Sequence, residues 1–183
     1  MGDDRAIVAA TLDLLAEGGA GGATLATIGT RSGVGATELE RRYGSAAGAI
    51  VAAVASLDSG HRAASSTPYE ELVAELLAMR RALSHPGAQA AANAAVDELT
   101  WTELARLYRE QIMRPQRSRL RRILDQARRQ DLLAADDAEI VTAVSCCIGS
   151  WFGVTVAGVR PARDWASTVA RLTWRSLGGV PPA

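Results

Sequence analysis

The sequence predicts an all-α chain of about nine helices, and three observations carry that prediction. Of 183 residues, 48% are hydrophobic and 22% charged, a balance that suits a packed domain rather than a disordered one. Apolar side chains recur at three- and four-residue spacing along most of the chain, and no alternating strand pattern is sustained. Alanine is the commonest residue, with 36 copies, and alanine is the strongest helix former. The 20 basic residues are all Arg and match 20 acids, so the net charge is zero. That balance excludes binders that hold nucleic acid by bulk charge.

The elements follow in order. Residues 5–17 form an amphipathic helix with Ile7, Ala10, Leu14 and Leu15 on one face, ended by glycines 18, 19, 21 and 22. Thr24 caps a short helix over 25–31, with Leu25 and Ile28 inward. The segment "RSGVG" makes a tight turn in which Gly33 takes a positive φ. A third short helix covers 36–42, Gly44 interrupts it, and Ser45 caps a helix running to 62. After the break "SSTPYEE", Pro68 opens a helix to 84, with Glu70 and Glu71 near its positive end. Helices over 87–98 and 101–113 follow. Pro115 kinks or restarts the latter, which continues to 130 on a stripe of Leu120, Ile123, Leu124 and Ala127. Asp136 or Asp137 caps a helix to 158, Pro161 ends the next turn, and a last helix covers 162–177. The tail "GGVPPA" frays.

Residues 140–159 carry no charge and are long enough to span a bilayer. Thr142, Ser145, Ser150 and Thr155 within them, and the lack of a one-sided basic flank, favour a helix buried in a core or subunit interface. No membrane is expected. The adjacent Cys146 and Cys147 do not bridge each other, and no Cys-based metal site exists; both read as inert core thiols. The acidic start is not a signal peptide, so a reducing, cytoplasmic setting is expected. His61 and His85 lack ligand-spaced partners, and a positive charge near a helix C-terminus accounts for them. No phosphate loop or nucleophile motif occurs, so neither an enzyme nor a cofactor is expected.

Three helices of these lengths, with a glycine turn between the second and third, describe a helix-turn-helix. Helix one, the Gly-rich break, Thr24, Ile28, "SGVG", Leu39, Tyr43 and Ser45 stand in the order and spacing of the TetR family of bacterial transcription regulators, which the chain resembles over residues 5–57. The rest matches in helix number and length. The resemblance implies a homodimer with a DNA-reading head over 1–45, joined by the 45–62 helix to a ligand-binding and dimerisation body over 46–183. It implies a repressor that binds a near-palindromic double-stranded operator and is released by a small apolar or amphipathic effector.

Carried over residue by residue, Gly35 to Tyr43 is the recognition helix. Leu39 and Tyr43 face the small core, while Ala36, Thr37, Glu38, Glu40, Arg41 and Arg42 face DNA. Thr24, Thr27, Arg31 and Ser45 complete the expected contacts. The family usually has Tyr at the position of Glu40, Lys at Ala46 and Ser or Thr at Gly35. Over residues 1–60, four arginines meet seven acids, a charge of −3, whereas the remainder carries +3. This distribution motivates a second reading: a dimeric ligand-binding or protein-interaction module whose head has weak or lost DNA affinity.

Nine Arg between 106 and 129 flank an apolar stripe and read as a solvated helix face. Met79, Trp101, Leu104, Tyr108, Trp151 and Phe152 are the expected lining of an effector pocket, with core packing as the alternative for each. Ser145, Gly149, Gly153 and Ala157 recur every four residues and allow close helix approach. With Trp165, Val169 and Leu172 they make the expected dimer interface.

Overall fold

The structure is a computed structural model, and it describes residues 2–58, 67–156 and 159–182. Among these residues every regular element is helical: α1 (Gly2–Gly22), α2 (Leu25–Ser32), α3 (Ala36–Tyr43), α4 (Ala46–Asp58), α5 (Pro68–Leu83), α6 (Pro86–Val96), α7 (Thr102–Tyr108), α8 (Arg114–Arg129), α9 (Asp137–Val156) and α10 (Trp165–Ser176). A π-helical turn, Arg109–Met113, joins α7 to α8 with no intervening loop. The end of the 45–62 helix, with His61, and Ala157 lie outside the described residues.

The local signals act where the chemistry places them, with instructive exceptions. The glycines after residue 17 do not stop α1 at once; Gly19 breaks the run at φ 64, ψ −165, and the helix resumes to Gly22. Pro115 is the second residue of α8, where the helix restarts after the π turn. It has no N–H for the Gln111 carbonyl, and its ring crowds that carbonyl. The preceding turn widens instead, and the Arg114 N–H donates to the Arg109 carbonyl five residues back. His85 is at the N-terminus of α6, not at a C-terminus. Its Nδ1 accepts from the Gly87 N–H at 3.2 Å. α5 and α9 both start with reciprocal caps, Thr67 with Glu70 and Asp136 with Glu139. The tail is tied down at its start. The Gly179 N–H donates to the Trp174 carbonyl, and the Leu177 carbonyl accepts from the Ala134 N–H at 2.9 Å.

The chain forms two compact units, one from residues 1–60 and 81–115, the other from 61–80 and 116–183. The first unit therefore extends past residue 45, to α4, α6 and α7. Ile7, Leu15, Ile28, Leu39, Leu104 and Tyr108 are buried there. α1 lies against α6 at very short range because α6 offers only Gly87, Ala88, Ala91 and Ala92 on its buried face. A Cβ on Gly87 would stand 2.2 Å from the Leu12 carbonyl oxygen.

The second unit contains most of α5 and α8 with α9 and α10, and its cross-helix pairs fix its topology. Glu71 meets Arg122 and Glu75 meets Arg119, so α5 and α8 are antiparallel. Arg121 meets Asp137 and Arg117 meets Ser145, so α8 and α9 are antiparallel. Cys147 meets Thr173 and Trp151 meets Trp165, so α9 and α10 are antiparallel as well. Tyr69 stacks edge-on against Trp174, and Arg80 donates to the Arg163 carbonyl, which places α5 alongside α10. The arginine-rich stretch is thus an ion-paired helix face rather than a merely solvated one. α9 is long and apolar enough, by length and composition, to cross a membrane, but only a third of its apolar window is buried. It is one-sided: Ala143, Val144, Cys147, Ile148 and Trp151 point inward, while Ser145, Cys146 and Gly149 are exposed. Burial pushes the Cys147 thiol up to about 11, which keeps it protonated and unreactive; its neighbour Cys146 is not a core residue.

Two stability outcomes follow. Gly87→Ala forces the Leu12 backbone away and is expected to cost about 1–3 kcal/mol in urea denaturation. Glu75 is buried beside Arg119 at 2.7 Å, so Arg119→Met, which removes a cationic partner from a buried carboxylate, should cost about 1–3 kcal/mol; a smaller loss on the same curve than for Ala at an exposed Arg would refute the role of the pair.

Candidate nucleic-acid interface

α2 is eight residues long and is held by its ends. The Thr27 N–H donates to Thr24 Oγ1 at 3.1 Å, and the Thr24 N–H donates to Thr27 Oγ1 at 2.9 Å. Gly33 then takes φ 75, the left-handed conformation the turn requires, and its N–H closes on the Gly29 carbonyl. Gly35 caps α3 with extended backbone and no side-chain bond. Leu39 is fully buried and Tyr43 half-buried, so the opposite side of α3 is turned outward. Ala36, Thr37, Glu40 and Arg41 lie exposed on that side, with Arg41 at 71%. Thr24, Thr27 and Arg31 are also exposed. Ser45 is half-buried. Its Oγ accepts from the Gly48 N–H and pairs with Glu103 at 3.0 Å.

The arginines on this face are all engaged. Arg41 donates from Nε and Nη2 to the two oxygens of Glu38, at 2.8 and 2.7 Å. Arg42 donates from Nε to the same carboxylate at 2.5 Å and from Nη1 to Asp4 of α1 at 3.0 Å. Arg31 pairs with Glu17 at 2.8 Å. The hydrogen bonds from Arg41 and Arg42 pull the Glu38 carboxyl down to about 2. The spacing of Glu38, Arg41 and Arg42 was visible in the sequence as i, i+3 and i, i+4 pairs; the reach to Asp4 was not.

The expected effector residues fall into both units. Leu104 and Tyr108 are buried in the first, and the Trp101 ring edge stands over Gly21 of α1. Met79 and Trp151 are buried in the second, with Phe152 half-buried. Trp165, expected at a dimer interface, instead packs edge-on against Trp151 at 5.1 Å within the same chain. Its indole N–H is buried with no hydrogen-bond partner among the described residues. A separate open groove of about 560 Å³ runs between α9 and α10, lined by Thr142, Cys146, Ser150, Val169, Leu172 and Thr173 among others. Leu172 is 59% exposed there; Ser145, Gly149 and Gly153 are exposed on α9. None of the expected effector residues lines it. Among the described residues, no group of three or more His, Cys, Asp or Glu could hold a metal ion.

The Glu38 value sets a pH dependence. The folded carboxyl lies below its ordinary 4.5, so its contribution to holding α3 and α1 together is complete above that pH and is lost as pH falls toward 2. A carboxyl-carbon NMR titration of Glu38 should give a midpoint near 2, and a midpoint in the ordinary range would dissolve the network.

No protein-family model and no curated protein sequence matches the chain. Solved structures do. A TetR transcriptional regulator from Agrobacterium tumefaciens superposes with a TM-score of 0.72 at 19% identity, covering 96% of this chain and 93% of the other. A second TetR family transcription regulator gives 0.66 at 21% identity, covering 100% of each chain. The flavonoid-responsive regulator FrrA gives 0.61 at 18%, covering 99% and 98%. With the caps, turn and buried Leu39 in the expected places, the chain has the fold of the TetR-family transcription regulators.

Proposed function

We propose that the chain is a ligand-responsive, dimeric transcription repressor that binds a near-palindromic operator through residues 35–43. The observation that carries this reading is the outward face of α3. A helix anchored by Leu39 follows a left-handed glycine turn and presents Arg41 beside Ala36, Thr37 and Glu40. Small and bidentate side chains on a projecting helix suit a major groove, where Arg grips guanine with two hydrogen bonds. Ser145, Gly149, Gly153 and Leu172 on the exposed sides of α9 and α10 support pairing with a second copy, which would set two heads about one helical turn apart. The orphaned Trp165 N–H beside Trp151 supports an effector with an oxygen acceptor, since an unmade buried bond costs about 1–3 kcal/mol. A fold neighbour is named for its response to flavonoids, which fits a small-molecule effector. Effector binding would act by favouring a head spacing that no longer matches the DNA.

The engaged arginines and the acidic head favour a second reading, a dimeric module that binds ligand or protein and no longer grips DNA. Fluorescence anisotropy against the duplex upstream of the chain's own gene separates the two. The repressor reading expects salt-dependent binding that Arg41→Ala with Arg42→Ala reduces by at least about 100-fold, at about 1–3 kcal/mol per base-reading Arg in each of two heads. An unchanged affinity would sink the assignment of α3. Absence of binding at low salt would favour the second reading.

A further inference from the structure

Four side chains on the outer face of the first unit form one connected network: Asp4, Arg42, Glu38 and Arg41. Its distances are 3.0 Å for Asp4 to Arg42, 2.5 Å for Arg42 to Glu38, and 2.7 and 2.8 Å for Glu38 to Arg41. Two acids meet two arginines, so the network is neutral. The third arginine of the α2–α3 face, Arg31, is neutralised by Glu17. This pairing is costly for a face meant to meet a polyanion. Non-specific DNA affinity comes almost entirely from cations neutralising phosphates. A phosphate that takes the Nε–Nη2 edge of Arg41 must displace one carboxylate that serves two guanidiniums, and one that approaches Nη1 bears that carboxylate's repulsion. Discrimination is a difference of affinities, and a built-in repulsion against the wrong target raises it.

We propose that Glu38 is a specificity-determining residue of α3. By holding Arg41 and Arg42 in a neutral, pre-oriented network, it denies the head to DNA phosphate as such. It releases the guanidiniums only where base edges replace both hydrogen bonds of the Arg41 fork. Asp4 acts as a positioning residue. It fixes Arg42 from α1, and through Arg42 it steadies the Glu38 carboxylate. Arg41 keeps the planar orientation that two-point recognition of guanine uses, because the Glu38 fork holds it in a similar bidentate geometry. This inference rests on the reading of α3 as a DNA-reading helix.

The test compares the full chain with E38Q and D4N, each checked for fold by circular dichroism and thermal melting. Two labelled duplexes serve as probes, the one upstream of the chain's own gene and a scrambled version of it. Anisotropy titrations run from roughly 50 to 200 mM NaCl, the range over which phosphate contacts are lost. E38Q is expected to tighten binding to the scrambled duplex about two- to tenfold, the scale of one released surface pair in each of two heads. It should also steepen the salt dependence by about one ion per head. The preference for the upstream duplex falls by the same factor, and D4N moves both quantities in the same direction by less. A merely structural role for Glu38 would leave the salt slope where it was. If E38Q leaves the scrambled-duplex affinity and salt slope at the unmodified values while Arg41→Ala abolishes upstream-duplex binding, the role of Glu38 is overturned and the reading of α3 stands. If neither duplex is bound by the unmodified chain, E38Q or D4N at any salt, both are overturned.

Discussion

The burial of Leu39 is the constraint on which the candidate interface depends. α3 has eight residues, too few to persist alone in water. It has one fully buried side chain, whose removal from solvent is worth about 2 kcal/mol. That side chain sets the helix's rotation about its own axis. With Leu39 inward and Tyr43 one turn on, Ala36, Thr37, Glu40 and Arg41 can only point outward. The rest of the first unit supports this placement: the Thr24–Thr27 cap starts α2, Gly33 turns the chain, and Ile28 fills the space behind.

Electrostatics then decide what that face can do. The charge of −3 over residues 1–60 is not spread at random. Glu17, Glu38 and Asp4 each lie on an arginine of the α2–α3 surface. Exposed pairs of this kind add little to stability, so their consequence is for recognition. The same acids that lower affinity for any polyanion also hold the guanidiniums in a defined geometry. Ser45, expected among the DNA contacts, is bonded to Gly48 and Glu103 and caps the start of α4.

The second unit separates burial from exposure along single helices. α9 has no charge from Ile140 to Val156, yet its two sides differ. Cys147 and Trp151 are inward against α10, Cys146 lines the groove, and Ser145 and Gly149 are exposed. Two adjacent thiols therefore have different chemistry. One is held protonated by its surroundings and the other is open to solvent. Trp165, expected at an interface, is buried edge-on against Trp151 within the chain.

The helices, their caps and the glycine turn were legible in the sequence, because capping and turn chemistry act over three or four residues. Thr24, Gly33 and Asp136 needed no distant partner to be read correctly. The inward side of α3 was legible too, since Leu39 and Tyr43 share a helical face. Tertiary structure alone decided the rest. It set Asp4 against Arg42 across 38 positions, Glu75 against Arg119 across 44, and Trp165 against Trp151. It made His85 an N-terminal cap and put a π turn before the restart at Pro115. The physical reason is range. Periodicity and backbone propensity name the face a residue occupies, but the charge or ring that meets it belongs to another helix. That partner is chosen only when the helices pack.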